Sequence, residues 1–111
     1  MTPEIINEGS NPHLASEVID SIRQVYDPEI PVNVYDLGLI YKVHIDEDDR
    51  VFVTMTLTTP NCPVADSLPN QVESIVMLTD GVSDARVKLT FDPPFTIDMM
   101  SDEAKLELGM L

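Results

Sequence analysis

From Val51 to Thr58 the chain reads VFVTMTLT, with Val51, Val53, Met55 and Leu57 alternating against Phe52, Thr54, Thr56 and Thr58. A period of two belongs to a β-strand, whose successive side chains point to opposite faces. A helix would scatter the same residues around its circumference. The segment therefore predicts a strand over about 50–58, and with it a sheet that has one apolar face.

Neighbouring segments extend that sheet. Ile40, Val43 and Ile45 predict a strand over about 40–46. The acidic run Asp46–Asp49 between the two is short enough to make them an antiparallel hairpin. Ala85, Val87, Leu89 and Phe91 alternate against Arg86, Lys88 and Thr90, which predicts a third strand over about 84–91. The sequence leaves open which hairpin strand this third one joins.

Other stretches carry the helical period. Asn11-Pro12 reads as a helix start, and Leu14, Val18, Ile19, Ile22, Val25 and Tyr26 follow at spacings of three and four. Asp27-Pro28 ends that helix, because the residue before proline avoids helical geometry. A second helix is expected from near Pro63, with Ala65, Leu68, Val72, Ile75 and Val76 on one side. Pro69 must either kink it or mark the start of its main part. Ser101 is placed to cap a short last helix.

The expected order is α-β-β-α-β-α, an α/β two-layer sandwich on a three-stranded mixed sheet. Residues 1–12 read as a flexible tail and 13–111 as one domain. Of the 111 residues, 43% are hydrophobic, enough for a core, but Trp is absent, so Val, Ile, Leu and Met must fill it. A net charge of −14 repels phosphate backbones and anionic headgroups, so neither nucleic acid nor membrane is expected as a partner. The N-terminus lacks a basic region followed by an apolar stretch, and no apolar run approaches a membrane span, so a cytoplasmic protein is expected.

Cys62 is the sole cysteine, which excludes an internal disulfide. It lies between Pro60 and Pro63 where a strand gives way to a helix. Helix-terminal N–H groups and the positive end of the helix dipole favour a thiolate there. The same residue could instead be a buried, inert thiol. The hairpin geometry could bring Asp36, Gly38 and Thr59 near Cys62. Asp36 then either orients a thiol or a metal, or caps its turn. Glu29 reads as a solvated loop residue. His44, in phase with Lys42 and Asp46, should face solvent, and His13 belongs to the surface. No Cys and His pair has zinc-site spacing.

Three stretches taken together resemble a known family: DPEIPVNVYDLGLIY (Asp27–Tyr41), MTLTTPNCPVADSLP (Met55–Pro69) and FDPPFTIDMMSDEAKLELGML (Phe91–Leu111). They look like the family of SufT, PaaD and the eukaryotic cytosolic iron–sulfur targeting component. The shared features are a DPE turn at Asp27, Pro28 and Glu29, a D-L-G turn at Asp36, Leu37 and Gly38, and a T-x-x-C-P element at Thr59, Cys62 and Pro63. PaaD-like members commonly carry further C-terminal cysteines, which this chain lacks, so the SufT branch fits better.

The resemblance implies a non-catalytic accessory factor in iron–sulfur cluster assembly or delivery. Cys62 would be a transient contact to iron or a cluster, with Asp36, Gly38, Thr59, Pro63 and Glu29 shaping its pocket. No tightly bound cofactor is expected, only transient iron or a cluster. Because clusters take about four thiolate or imidazole ligands, one thiol per chain would have to share the cargo, for example across a homodimer. The implied partners are SUF scaffold components and apo iron–sulfur proteins. Three alternatives stand beside this reading: an adaptor that binds no metal and keeps Cys62 as a structural residue, a PaaD-like component linked to phenylacetate degradation, and a thiol-dependent enzyme, which the lack of a second convincing base disfavours.

Overall fold

The computed structural model describes residues 3–27, 31–57 and 67–109. Four strands, β1 (Glu4–Asn7), β2 (Ile40–Ile45), β3 (Arg50–Met55) and β4 (Asp84–Leu89), form one sheet in the order β1-β2-β3-β4. Three α-helices accompany them: α1 (Leu14–Ile22), α2 (Ser67–Met77) and α3 (Asp102–Glu107). The α/β class and the mixed sheet match the sequence expectation.

The strand count does not. Residues 4–7, expected in a flexible tail, pair in parallel with β2 from Glu4↔Lys42 to Asn7↔Ile45. Only two apolar residues mark this segment, so its strand character comes from the free edge of β2 rather than from local pattern. The hairpin forms as expected, with Val43 opposite Val53 and Ile45 opposite Val51. The strand at 84–89 joins β3 in parallel, in register from Arg50↔Asp84 to Met55↔Leu89.

Alternation sorts the sheet into two faces. Val43, Ile45, Val51, Val53, Met55 and Ala85 are buried on the face that meets the helices. Leu14, Val18 and Ile22 of α1 and Leu68, Val72 and Val76 of α2 complete that core. Each fully buried Val, Leu or Ile stabilises the fold by about 1.5–3 kcal/mol relative to exposure. α1 is also joined to the turn after α2 by a hydrogen bond of 2.7 Å between the Ser21 and Thr79 hydroxyls.

Helix ends deviate from the pattern in instructive ways. Asn11 does not cap α1; its Oδ1 accepts the His13 N–H at 2.9 Å, and His13 occupies the cap position. The helix stops at Ile22, and Tyr26 is exposed, while Val25 stays in the core. Pro69 is the third residue of α2 as described, a first-turn position that needs no intrahelical N–H bond. Ser101 caps α3 as expected, its hydroxyl accepting the Ala104 N–H at 3.1 Å. Among the described residues no helix is long and apolar enough to cross a membrane.

Candidate functional site

The D-L-G turn is built before any site exists. After α1 the chain folds back on itself: the Val34 N–H donates to the Val25 carbonyl at 2.9 Å, and Asn33 bridges to Tyr26. Val32, Val34, Leu37 and Leu39 enter the core and pin the loop from below. Between these anchors, Asn33 organises the turn. Its Oδ1 accepts the Asp36 N–H at 2.9 Å, and its Nδ2 donates to Asp36 Oδ2 at 2.8 Å. The second carboxylate oxygen, Oδ1, lies 4.0 Å from an Arg23 guanidinium nitrogen. That guanidinium also stacks over the Tyr35 ring, 4.6 Å from its centroid. Asp36 is therefore oriented by two elements, the loop itself and α1.

Gly38 ties the turn to the C-terminal segment. Its φ is +84°, a left-handed conformation that side chains rarely adopt. A Cβ there would also stand 2.3 Å from the Met99 carbonyl oxygen. The Ser101 N–H donates to the Asp36 carbonyl at 2.8 Å. The Tyr41 hydroxyl donates to the Pro93 carbonyl at 2.8 Å, with Met99 Sδ 3.5 Å away. Burial pushes the Tyr41 phenol up from its ordinary pKa, partly offset by the nearby Thr56 side chain. The residues around Asp36 are thus held from both sides of the chain.

A cleft of about 260 Å³ opens beside this turn, lined by Tyr26, Val32, Asn33, Asp36, Glu103 and Glu107 among others. Three carboxylates with a tyrosine ring at its wall suit a cationic group better than an anionic one. The last turn of the site comes from β3: the Thr56 N–H donates to the Leu39 carbonyl at 2.8 Å, so the end of that strand abuts the D-L-G turn.

Of the residues singled out from sequence, Asp36 and Gly38 fall here. Glu29, Thr59, Cys62 and Pro63 lie outside the described residues. His44 does not belong to the site. It sits on the opposite, open face of the sheet, against Glu8 and with its ring 6.1 Å from that of Phe52. His13 is exposed at the start of α1, as expected. Among the described residues no three His, Cys, Asp or Glu side chains converge as a metal site. Sequence reading missed Arg23, Asn33 and Met99. Asn33 had a usable signal, an Asx residue three positions before the turn's Asp; the other two had none.

Fold and turn define a small α/β domain built around one braced loop junction. Residues 15–89 match the family described as iron–sulfur cluster assembly protein, and the chain belongs to it. It is 55% identical over 95 residues to an Fe-S protein maturation auxiliary factor of Porphyromonas gingivalis, covering 86% of this chain and 90% of that one. It is 38% identical over 97 residues to the Fe-S protein maturation auxiliary factor YitW of Bacillus subtilis, covering 87% and 95%. A crystal structure of a DUF59 domain of unknown function from Bacillus anthracis superposes with a TM-score of 0.84 at 30% identity, covering 92% and 97%. The SufT-type resemblance read from the motifs is borne out.

Proposed function

We propose that this chain is a non-catalytic accessory factor that helps assemble iron–sulfur clusters or deliver them to apo-proteins. Cys62 makes a transient thiolate contact to the iron or cluster, which is cargo rather than a resident group. The observation that carries this reading is the bracing of Asp36. Asn33 and Arg23 hold its carboxylate and the Ser101 N–H holds its carbonyl, in a turn tied to the end of β3 by the Thr56–Leu39 hydrogen bond, six residues before Cys62 in the sequence. Such fixation suits a residue that orients a reactive neighbour, since a loosely held carboxylate loses that function to rotamer freedom.

The family match supports the role, because it spans both the D-L-G turn and Cys62. A single thiol leaves most of a cluster's coordination to other donors, so the cargo is shared with a scaffold, a client or a second copy and is passed on. SUF scaffold components and apo iron–sulfur proteins are the partners this implies. The strongly acidic surface, including the cleft at Glu103 and Glu107, favours docking of basic partner surfaces. The site of action is the cytoplasm.

The test replaces Cys62→Ser and follows the activity of an aconitase-type enzyme in cells grown under iron limitation. Maturation is expected to fall while the variant unfolds at the same denaturant concentration as the parent. Unchanged maturation would sink the assignment of Cys62.

A further inference from the structure

The sheet ends on two edge strands, β1 and β4. An edge strand presents unpaired N–H and C=O groups, which template pairing with a further strand. β1 is four residues long and offers little to pair with. β4 is six residues long and keeps regular parallel register with β3 from Asp84 to Leu89. Its outward backbone groups can be assigned. In a parallel ladder the N–H and C=O of one residue point to the same side, and the side alternates along the strand. Thr90, just past β4, donates its N–H inward to the Met55 carbonyl at 2.8 Å. Arg86 and Lys88 share that phase, so Ala85, Val87 and Leu89 direct their main-chain groups outward.

Side chains already engage this edge. The Val87 N–H donates to Glu73 Oε2 on α2 at 3.1 Å, and Arg86 Nη1 donates to the Ala85 carbonyl at 3.1 Å. Helical phase places Glu73 for the first of these bonds. It follows Val72 and precedes Val76, both in the core, so it stands on the flank of the buried stripe, over the sheet margin. It is also the only charged residue among the eleven of α2, SLPNQVESIVM, in a chain where 23% of residues are charged. A carboxylate that served solubility would belong to the exposed face of the helix. This one is half-buried and turned onto the main chain of β4. A carboxylate–amide bond is charge-assisted, and stronger than the neutral bond that an incoming strand would offer in exchange.

We propose that Glu73 is a latch that closes the β4 edge and keeps a second copy of this chain from adding its own β4 there. An added strand uses the outward groups of Ala85, Val87 and Leu89 in succession, and the latch occupies the Val87 N–H in the middle of that row. To displace it, a partner carbonyl must take its place and leave a half-buried carboxylate without its donor, which is costly. Charge helps the latch at low salt. The net charge of −14 holds copies apart, and Arg86 and Lys88 on the two strands repel one another at close approach. At 1 M salt the Debye length falls to about 3 Å and both effects are screened, so the latch then acts alone. The device is independent of the role given to Cys62.

Amide hydrogen exchange and sedimentation of the full chain test this. Glu73→Ala puts the best helix former at the position, so α2 is expected to stay folded, with unchanged dispersion in the amide NMR spectrum. Its Val87 amide is expected to exchange about tenfold faster than the parent's, the scale of one charge-assisted hydrogen bond. In about 1 M sodium chloride the variant is expected to associate as its concentration rises, while the cargo-free parent keeps one sedimentation coefficient. Association should then slow exchange at residues 85, 87 and 89. Glu73→Gln retains an acceptor oxygen and is expected to stay with the parent in both measurements. The proposal is overturned if Val87 exchange is unchanged in Glu73→Ala, or if that variant sediments as the parent does at every concentration. It is equally overturned if Glu73→Gln associates as Glu73→Ala does, or if association protects amides away from β4.

Discussion

Gly38 and Asp36 stand two positions apart in the same turn, and different physics fixes each. Asp36 is placed by polar partners, Asn33 at 2.8 Å and Arg23 at 4.0 Å. Gly38 is placed by what it lacks, since any Cβ would strike the Met99 carbonyl. Gly38→Ala therefore meets two penalties, a left-handed backbone and a backbone clash that no rotamer relieves. A loss of about 1–3 kcal/mol is expected from the backbone conformation alone, with the clash adding to it. Urea unfolding measures it. A midpoint equal to that of the parent would show that the C-terminal segment is free to move off the turn. Both residues were legible in the sequence because a D-L-G turn has a local signature. Arg23 and Met99 were not, because their contacts join residues far apart in the chain and leave no pattern at either end.

At the scale of elements, local periodicity decided what could be read. The β2–β3 hairpin, β4 and the Ser101 cap form where the pattern places them, and α1 forms on its pattern but stops at Ile22, short of Tyr26. β1 is the counterexample: four residues, EIIN, hold too few alternations to signal a strand. Its pairing with β2 is a long-range event, supplied by an edge that would otherwise present unpaired N–H and C=O groups. A variant beginning at Gly9 removes this strand. It gives up the partial burial of Ile5 and Ile6, about 2 kcal/mol by apolar area. It also exposes the β2 edge. The expected result is a lower urea midpoint together with concentration-dependent association in sedimentation. A variant that keeps the parent's midpoint and stays monomeric would mean that β1 contributes neither stability nor edge protection.

The whole molecule is governed by charge imbalance. With 20 acidic and 6 basic residues, the folded state concentrates a net charge of −14 on a radius of gyration of 13.5 Å. Such self-repulsion destabilises the compact state, and unfolding relieves it by spreading the charges apart. Opposing it are the ion pairs among the described residues, such as Arg50–Asp46 and Lys42–Glu4, which are exposed and worth about 0–1 kcal/mol each. Salt screens both terms. The pairs are short and lose little, whereas the repulsion acts over distances that a Debye length of about 30 Å at 0.01 M leaves almost unscreened and one of about 3 Å at 1 M removes. The net effect of sodium chloride is therefore stabilising. A gain of about 1 kcal/mol corresponds to about 4–8 °C in Tm for a domain of this size, and a rise on that scale across this salt range is expected by calorimetry. Chloride is the right choice, because sulfate would add its own exclusion effect. A Tm that falls with salt would mean that the surface pairs outweigh the repulsion. The same field that weakens the fold at low salt draws basic partner surfaces toward the acidic cleft. Partner capture and stability should consequently move in opposite directions as salt rises, with association rates falling while Tm climbs.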